Sequence, residues 1–186
     1  GAFRVARWAA LGKVVAGKYE LEVLLGAGGV GQVWRARHRV TKREHAVKII
    51  AGDRDAETSL ERFLREAESF AHVRHPGVVE ILDAGRDADG SLYLVMELLE
   101  GKTLRQWLDS AGRRPWEGAD ILREALDPLM AAHEARTPEG APSPIVHRDL
   151  KPENIFVLDR PLAPAPGQSR PTRVKLLDFG IARWVG

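Results

Sequence analysis

One amphipathic helix set among short strands is the feature that most restricts how this chain can fold. In AETSLERFLREAESFAHV, residues 56–73, Leu60, Phe63, Leu64, Ala67, Phe70 and Ala71 recur at i, i+3, i+4 spacing and lay one apolar stripe along a helix. On both sides of it the period drops to two. Residues 18–26 (KYELEVLLG) and 30–38 (VGQVWRARH) read as a strand hairpin across a glycine loop, and 44–50 (EHAVKII) as a third strand. After the helix, 78–82 (VVEIL) and 92–97 (LYLVME) read as two more strands joined by the polar turn RDADGS.

Beyond Gly101 the pattern becomes helical. Thr103 can cap a short helix in LRQWLDS. Residues 117–134 place Ile121, Leu122, Ala125, Leu126, Leu129 and Met130 on one helix face. ARTPEGAPSP (135–144) is a Pro-rich loop. IFVL (155–158) and RVKLL (173–177) are short strands flanking a second Pro-rich loop, DRPLAPAPGQSRPT. The order predicts an α+β chain in two lobes, 18–97 and 98–186, with the boundary near ELLEG at 97–101. Residues 1–17 mix basic and apolar side chains and read as an N-terminal extension, with an amphipathic helix as one option.

Composition narrows the partners. The 186 residues are enough for a domain with its own core. Lys and Arg total 28 against 26 Asp and Glu, a formal net charge of +2, and the arginines are scattered rather than gathered in a stripe. Nucleic-acid binding is therefore disfavoured. With no cysteine there is neither disulfide nor thiolate chemistry. No apolar run approaches the roughly 20 residues of a membrane span, so a cytoplasmic location is expected.

Several residues point to phosphate chemistry. GAGGVG places Gly26, Gly28 and Gly31 where backbone N–H groups can approach phosphate oxygens with no Cβ in the way. A dinucleotide-binding crossover would need a helix directly after these glycines and an acid about 20 residues on. Ala46, Lys48 and a strand stand there instead, so that reading fails. Lys48 interrupts the otherwise apolar Ala46, Val47, Ile49 and Ile50. Glu66 falls on the flank of the helix stripe beside Phe63 and Phe70. Pattern alone leaves it between a partner for Lys48 and a solvated carboxylate.

IVHRDLKPENIF, residues 145–156, wedges a charged run between two apolar ones. Asp149 and Asn154 there, with Asp178 after a later strand, could hold a hard cation such as Mg²⁺ through oxygen ligands. An acid left unligated could accept a hydroxyl proton. Lys151 could offset charge on a moving phosphoryl group.

Taken in order, GAGGVGQV, AVKII, HRDLKPEN and DFG resemble the eukaryotic-like Ser/Thr protein kinases, and the wording looks most like bacterial members. The resemblance covers roughly residues 18–183. It implies a two-lobe fold with a five-stranded antiparallel N-lobe sheet and one helix, followed by the first part of a helical C-lobe. It implies that Gly26, Ala27, Gly28, Gly29, Val30 and Gly31 cover the phosphates of ATP. Val33 and Ala46 would line the adenine pocket, Phe156 would be a further cofactor-binding residue, Met96 would guard the back of the pocket, and Glu97 to Leu99 would offer backbone groups to the adenine edge. Lys48, held by Glu66, would pair the α- and β-phosphates. Asp149 would be the catalytic base, Lys151 would neutralise the transferred phosphate, and Asn154 and Asp178 would hold Mg²⁺. The lysine two residues after Asp149 is similar to Ser/Thr rather than Tyr kinases, so the implied partners are ATP and a protein Ser/Thr hydroxyl. His147, Phe70 and Phe179 would be packing residues, and Arg148 would receive a phosphorylated loop.

The match departs from the family in two ways. Only six residues follow the glycine of DFG, so the expectation is an incomplete peptide groove and no protein phosphorylation by this chain alone. The two Pro-rich insertions also lengthen the path from Asp149 to Asp178. A kinase-like nucleotide-binding or scaffolding module without phosphotransfer is the alternative reading.

Overall fold

The computed structural model describes residues 9–28, 31–50, 56–110, 112, 114–164 and 171–178. The chain divides into two compact units. The first takes in the described residues up to Ala67 together with Ile81–Leu98; the second takes in Glu68–Glu80 and the described residues from Leu99 onward.

The first unit is built on an antiparallel sheet of six strands in the order β1-β2-β3-β4-β6-β5. These are β1 (Val14–Val15), β2 (Tyr19–Gly28), β3 (Gly31–His38), β4 (Glu44–Ile50), β5 (Ile81–Arg86) and β6 (Leu92–Glu97). Period-two alternation sorts their side chains onto two faces. One face carries Tyr19, Leu21, Trp34, Ala36, Val47, Ile49, Tyr93 and Val95, a continuous buried cluster. The helix α1 (Ala56–Ala71) buries Phe63, Ala67 and Phe70 and leaves Leu64 and Ala71 exposed, a narrower stripe than the sequence pattern suggests.

β1 makes the sheet one strand wider than the five expected. It lies in the segment read as an extension, and the described part of that segment, Ala9–Gly17, holds turns and this strand rather than a helix. Val15 is 1% exposed and belongs to the buried cluster, so the segment is part of the core. Lys13 bonds Asp87 at 2.9 Å and Asp89 at 2.6 Å, and the Ala16 N–H donates to Asp87 Oδ1 at 3.0 Å. The backbone bends between these anchors through Ala16 (φ 50) and Gly17 (φ 68). The expected strand at 78–82 is displaced to Ile81–Arg86, because the backbone of Gly77–Val79 bonds to a strand of the second unit instead.

In the second unit, β7 (Gly101–Thr103), β8 (Ile155–Leu162) and β9 (Thr172–Leu176) form a three-stranded sheet in that order. Gly101 has φ 146, and a Cβ there would lie 2.1 Å from the Val157 carbonyl oxygen, so no other residue fits this crossing. Thr103 caps α2 (Leu104–Leu108) as expected. Its hydroxyl accepts the Gln106 N–H at 3.2 Å, and Gln106 Oε1 accepts the Thr103 N–H at 2.9 Å. β8 runs into the segment expected to be unstructured. Pro161 is tolerated there because β7 pairs no further along β8 than Leu158, and so asks no N–H of it.

The single helix expected over 117–134 is two, α3 (Pro115–Glu124) and α4 (Leu126–His133). Pro128 explains the break: it has no N–H for the Glu124 carbonyl and its ring crowds that turn. The apolar face is covered only in part along both helices. Ile121, Ala125, Pro128 and Ala132 are buried, whereas Leu122, Leu126 and Met130 are 50%, 54% and 57% exposed. Among the described residues, no helix is long and apolar enough to cross a membrane.

Candidate functional site

Four of the expected nucleotide residues share the sheet face opposite the buried cluster. Val33 stands directly across from Lys48, and Ala46 directly across from Met96. Cross-strand partners lie on one face, and Ala46 and Lys48 are two apart on β4, so register alone brings all four together. Lys48 is only 7% exposed, flanked on the same face by the buried Leu94. Glu66 is half-buried on the flank of α1, in the same unit. Glu97 ends β6 opposite His45, and Leu99 begins the longer stretch of the second unit.

The glycines of the hairpin are not equivalent. A Cβ at Gly26 or Gly28 would meet nothing within 4 Å, which leaves the backbone open to a close approach. A Cβ at Gly31 would sit 2.3 Å from the Ile49 carbonyl oxygen, so Gly31 is needed for packing β3 on β4. Ala27 is exposed and pairs with Gln32, while Gly29 and Val30 lie outside the described residues.

In the second unit the HRDLKPEN segment folds into a hydrogen-bonded loop. The Asp149 N–H donates to the His147 carbonyl at 2.8 Å, closing a three-residue turn with Arg148 at φ 60. A non-glycine residue in that conformation is strained, which the surrounding bonds must hold in place. Pro152 starts the 3-10 turn Pro152–Asn154, whose fixed φ suits the first helical position. The turn brings the Asn154 Nδ2 to 2.8 Å from the Asp149 carbonyl and 3.1 Å from its Oδ2. Lys151 Nζ lies 2.9 Å from the same Oδ2. The Asp149 carboxylate in turn raises the Lys151 pKa above its ordinary value.

Asp178 joins this loop through the backbone. The Leu177 N–H donates to the Asn154 carbonyl at 2.9 Å, and His147 Nε2 lies 2.8 Å from the Leu177 carbonyl. A carbonyl can only accept, so Nε2 carries the imidazole proton and Nδ1 is left to accept from the Asp149 N–H at 3.4 Å. Burial lowers the His147 pKa, and the Leu177 bond opposes it only in part. His147 thus holds two chain segments together as a neutral ring. Asp178 itself has φ 47. Phe156, on β8, lies beside Gly101, where a Cβ would come within 2.9 Å of its ring. Phe179 lies outside the described residues.

The donor chemistry fits a hard cation. With its amide nitrogen committed to Asp149, Asn154 presents a carbonyl oxygen, and Asp178 adds a carboxylate. Mg²⁺ is commonly held by one or two such protein oxygens together with substrate phosphates and water. Two features escaped the sequence reading. Glu153, in the loop, accepts from Arg105 Nε at 3.0 Å, and Lys175 on β9 is buried. Lys175 interrupts RVKLL just as Lys48 interrupts AVKII, so the same signal could have drawn attention to it.

Comparison with known proteins identifies the family and the fold. The protein kinase domain family profile matches residues 19–186. The chain is similar to serine/threonine-protein kinase pkn3 of Myxococcus xanthus, at 37% identity over 93% of this chain and 29% of that protein. Against serine/threonine-protein kinase PrkC of Bacillus subtilis the identity is 33%, over 92% of this chain and 24% of that protein. Among solved structures, the Mycobacterium tuberculosis PknI kinase domain superposes with a TM-score of 0.69 at 28% identity, covering 94% of this chain and 62% of that one. The fold is therefore protein-kinase-like. The chain spans less than a third of the length of these two curated relatives.

Proposed function

The chain belongs to the protein kinase domain family, and from that premise we propose that it carries the ATP-binding and catalytic-loop residues of a serine/threonine protein kinase. In this reading Gly26 to Gly31 offer backbone N–H groups to the phosphates of ATP. Val33, Ala46 and Met96 line the adenine and Glu97 supplies backbone groups to its edge, with Leu99 and Phe156 the further nucleotide contacts that the family implies. Lys48, held by Glu66, pairs the α- and β-phosphates.

Asp149 accepts the proton of a Ser or Thr hydroxyl as that oxygen forms its bond to the γ-phosphorus. The bond from the γ-phosphorus to the β–γ bridging oxygen breaks, and ADP leaves with that electron pair. Two donors on Asp149 Oδ2, from Lys151 and Asn154, fix the rotation of the carboxylate. Lys151 offsets charge on the phosphoryl group in transit. Asn154 and Asp178 are the residues that would hold Mg²⁺, which supplies charge neutralisation at the phosphate oxygens when bound.

The observation that carries the proposal is the convergence of Asp149, Lys151 and Asn154 in one hydrogen-bonded loop. It is tested by Mg²⁺-dependent binding of a non-hydrolysable ATP analogue and by phosphate transfer to Ser- and Thr-containing peptides, on this chain and on any longer polypeptide that contains it. Asp149→Asn should lower transfer by about 10²–10⁴-fold with nucleotide affinity retained. Undiminished turnover in that variant would remove Asp149 as the base. Binding without transfer in every context would favour a nucleotide-binding module instead.

A further inference from the structure

We propose that Lys175 is a positioning residue whose buried ammonium clasps the segment 75–79 to β9 and so fixes the end of β9 that carries Asp178. The inference rests on the reading of Asp178 as a magnesium-holding group.

β9 alternates. Val174 and Leu176 are buried and apolar, as one face of a packed strand should be. Arg173 and Lys175 point to the other side. Arg173 stays half-exposed and reaches Glu124 of α3, its Nε 3.0 Å from Oε1. Lys175 turns inward and is 5% exposed, with Nζ 3.3 Å from the Val78 carbonyl oxygen. Removing an ammonium from water is expensive unless its hydrogen bonds are returned. A methionine would fill the same length without that penalty, so packing alone does not account for an amine here.

The bond it makes belongs to a set. The Leu176 N–H donates to the Gly77 carbonyl at 2.8 Å, and the Val79 N–H donates to the Leu176 carbonyl at 3.1 Å. With Lys175 on Val78, β9 thus engages three consecutive residues of the segment. The segment has little room to shift. His75 Nδ1 accepts the Gly77 N–H at 2.9 Å, and a Cβ on Gly77 would lie 3.0 Å from the Pro128 ring of α4. One residue further along, Leu177 is bonded to Asn154 and His147. β9 is therefore anchored just before Asp178 on two sides, by segment 75–79 on one and by the catalytic loop on the other. Among the described residues, Lys175 is a side chain that β9 contributes to the first anchor.

The test compares the 186-residue chain with Lys175→Met and Lys175→Arg. Two quantities are read: amide hydrogen exchange at Val79, Leu176 and Leu177, and the Mg²⁺ concentration for half-maximal binding of a non-hydrolysable ATP analogue. In Lys175→Met the three amides should exchange about tenfold faster while those of β3 and β4 are unchanged. The Mg²⁺ requirement should rise about tenfold with metal-free nucleotide affinity unaltered, the scale expected when a ligand loses its orienting partner. Lys175→Arg should restore both. Exchange that stays at the wild-type rate, or an Mg²⁺ requirement that does not move although exchange accelerates, overturns the proposal. If Lys175→Met does not fold, Lys175→Gln is read in the same two assays and should fall between wild type and full loss; wild-type values in it would count against the clasp. A wild-type chain with no Mg²⁺-dependent binding would sink the kinase reading, and the exchange pattern would then decide by itself whether Lys175 holds β9.

Discussion

Asn154 holds Asp149 through a single amide nitrogen, which lies 2.8 Å from the Asp149 carbonyl and 3.1 Å from its carboxylate. One buried side chain thus fixes both the backbone and the acid of its neighbour five residues earlier. Replacement by Leu keeps the volume and removes both bonds. We predict that Asn154→Leu loses roughly 1–3 kcal/mol in urea unfolding, the scale of hydrogen bonds that include one to a charged group. Mg²⁺-dependent nucleotide binding should disappear with it. A variant as stable as the parent would mean that the two bonds contribute nothing.

The glycine loop makes a separable prediction. Gly31→Ala places a methyl 2.3 Å from the Ile49 carbonyl oxygen and should destabilise the fold by about 1–3 kcal/mol, as overpacking does. Gly28→Ala meets open space and should stay within about 0.5 kcal/mol. Thermal unfolding of the two variants side by side checks this. Equal losses would contradict the division of labour among the glycines.

Lys13 ties the first strand to the β5–β6 turn. Burial pulls the Asp89 carboxyl upward, but bonds from Lys13 and Ser91 outweigh it and hold it down at about 2. Asp87 is lowered by a similar balance of burial against bonds from Lys13 and Ala16. A depressed carboxyl contributes stability above its ordinary value of 3.8, and that stability is lost as pH falls through the folded value, here toward about 2. Lys13→Met should cost roughly 1–3 kcal/mol at neutral pH through the bond to buried Asp87. The variant should also show a shallower loss of stability across the acid window, read from urea midpoints between those two pH values.

The pKa of His147 is also lowered, but for the opposite reason: the ring is held neutral rather than charged. Burial holds its pKa below the ordinary 6.5, so at lower pH the unfolded chain binds a proton that the folded one refuses. Stability should therefore fall as pH drops below 6.5 and level off only once the folded ring is protonated. His45 and His75 are also lowered by burial and add to the same slope. His147→Gln should flatten part of it, in unfolding curves collected from pH 5 to 8. An unchanged slope would show that His147 is not held neutral.

Much of this architecture is legible in the chain. The strands at 44–50 and 92–97, the Thr103 cap and the turn at RDADGS all fall where period and capping chemistry place them. The residues that make up the Asp149 loop lie within eight positions of one another, so their meeting needs only a turn. Harder to read was anything that depends on a distant partner. Val15 looked like part of a loose extension because its neighbours in the core are Trp34, Val47 and Tyr93, far along the chain. Leu122, Leu126 and Met130 share one helical stripe with Ile121 and Ala125 yet stay exposed, because a stripe records which residues share a face, not which face is covered.

Sequence pattern thus settled the local vocabulary: which segments extend, which coil, and which short run gathers an acid, a lysine and an amide. These depend on hydrogen bonds and steric limits that act over a few residues. Long-range packing decided that β1 joins the sheet, that Ile121 and Ala125 are covered while Leu122 and Leu126 are not, and that Lys175 ends inside at Val78. Burial is a property of what arrives from elsewhere in the chain, and a linear pattern carries no distance between residues a hundred positions apart.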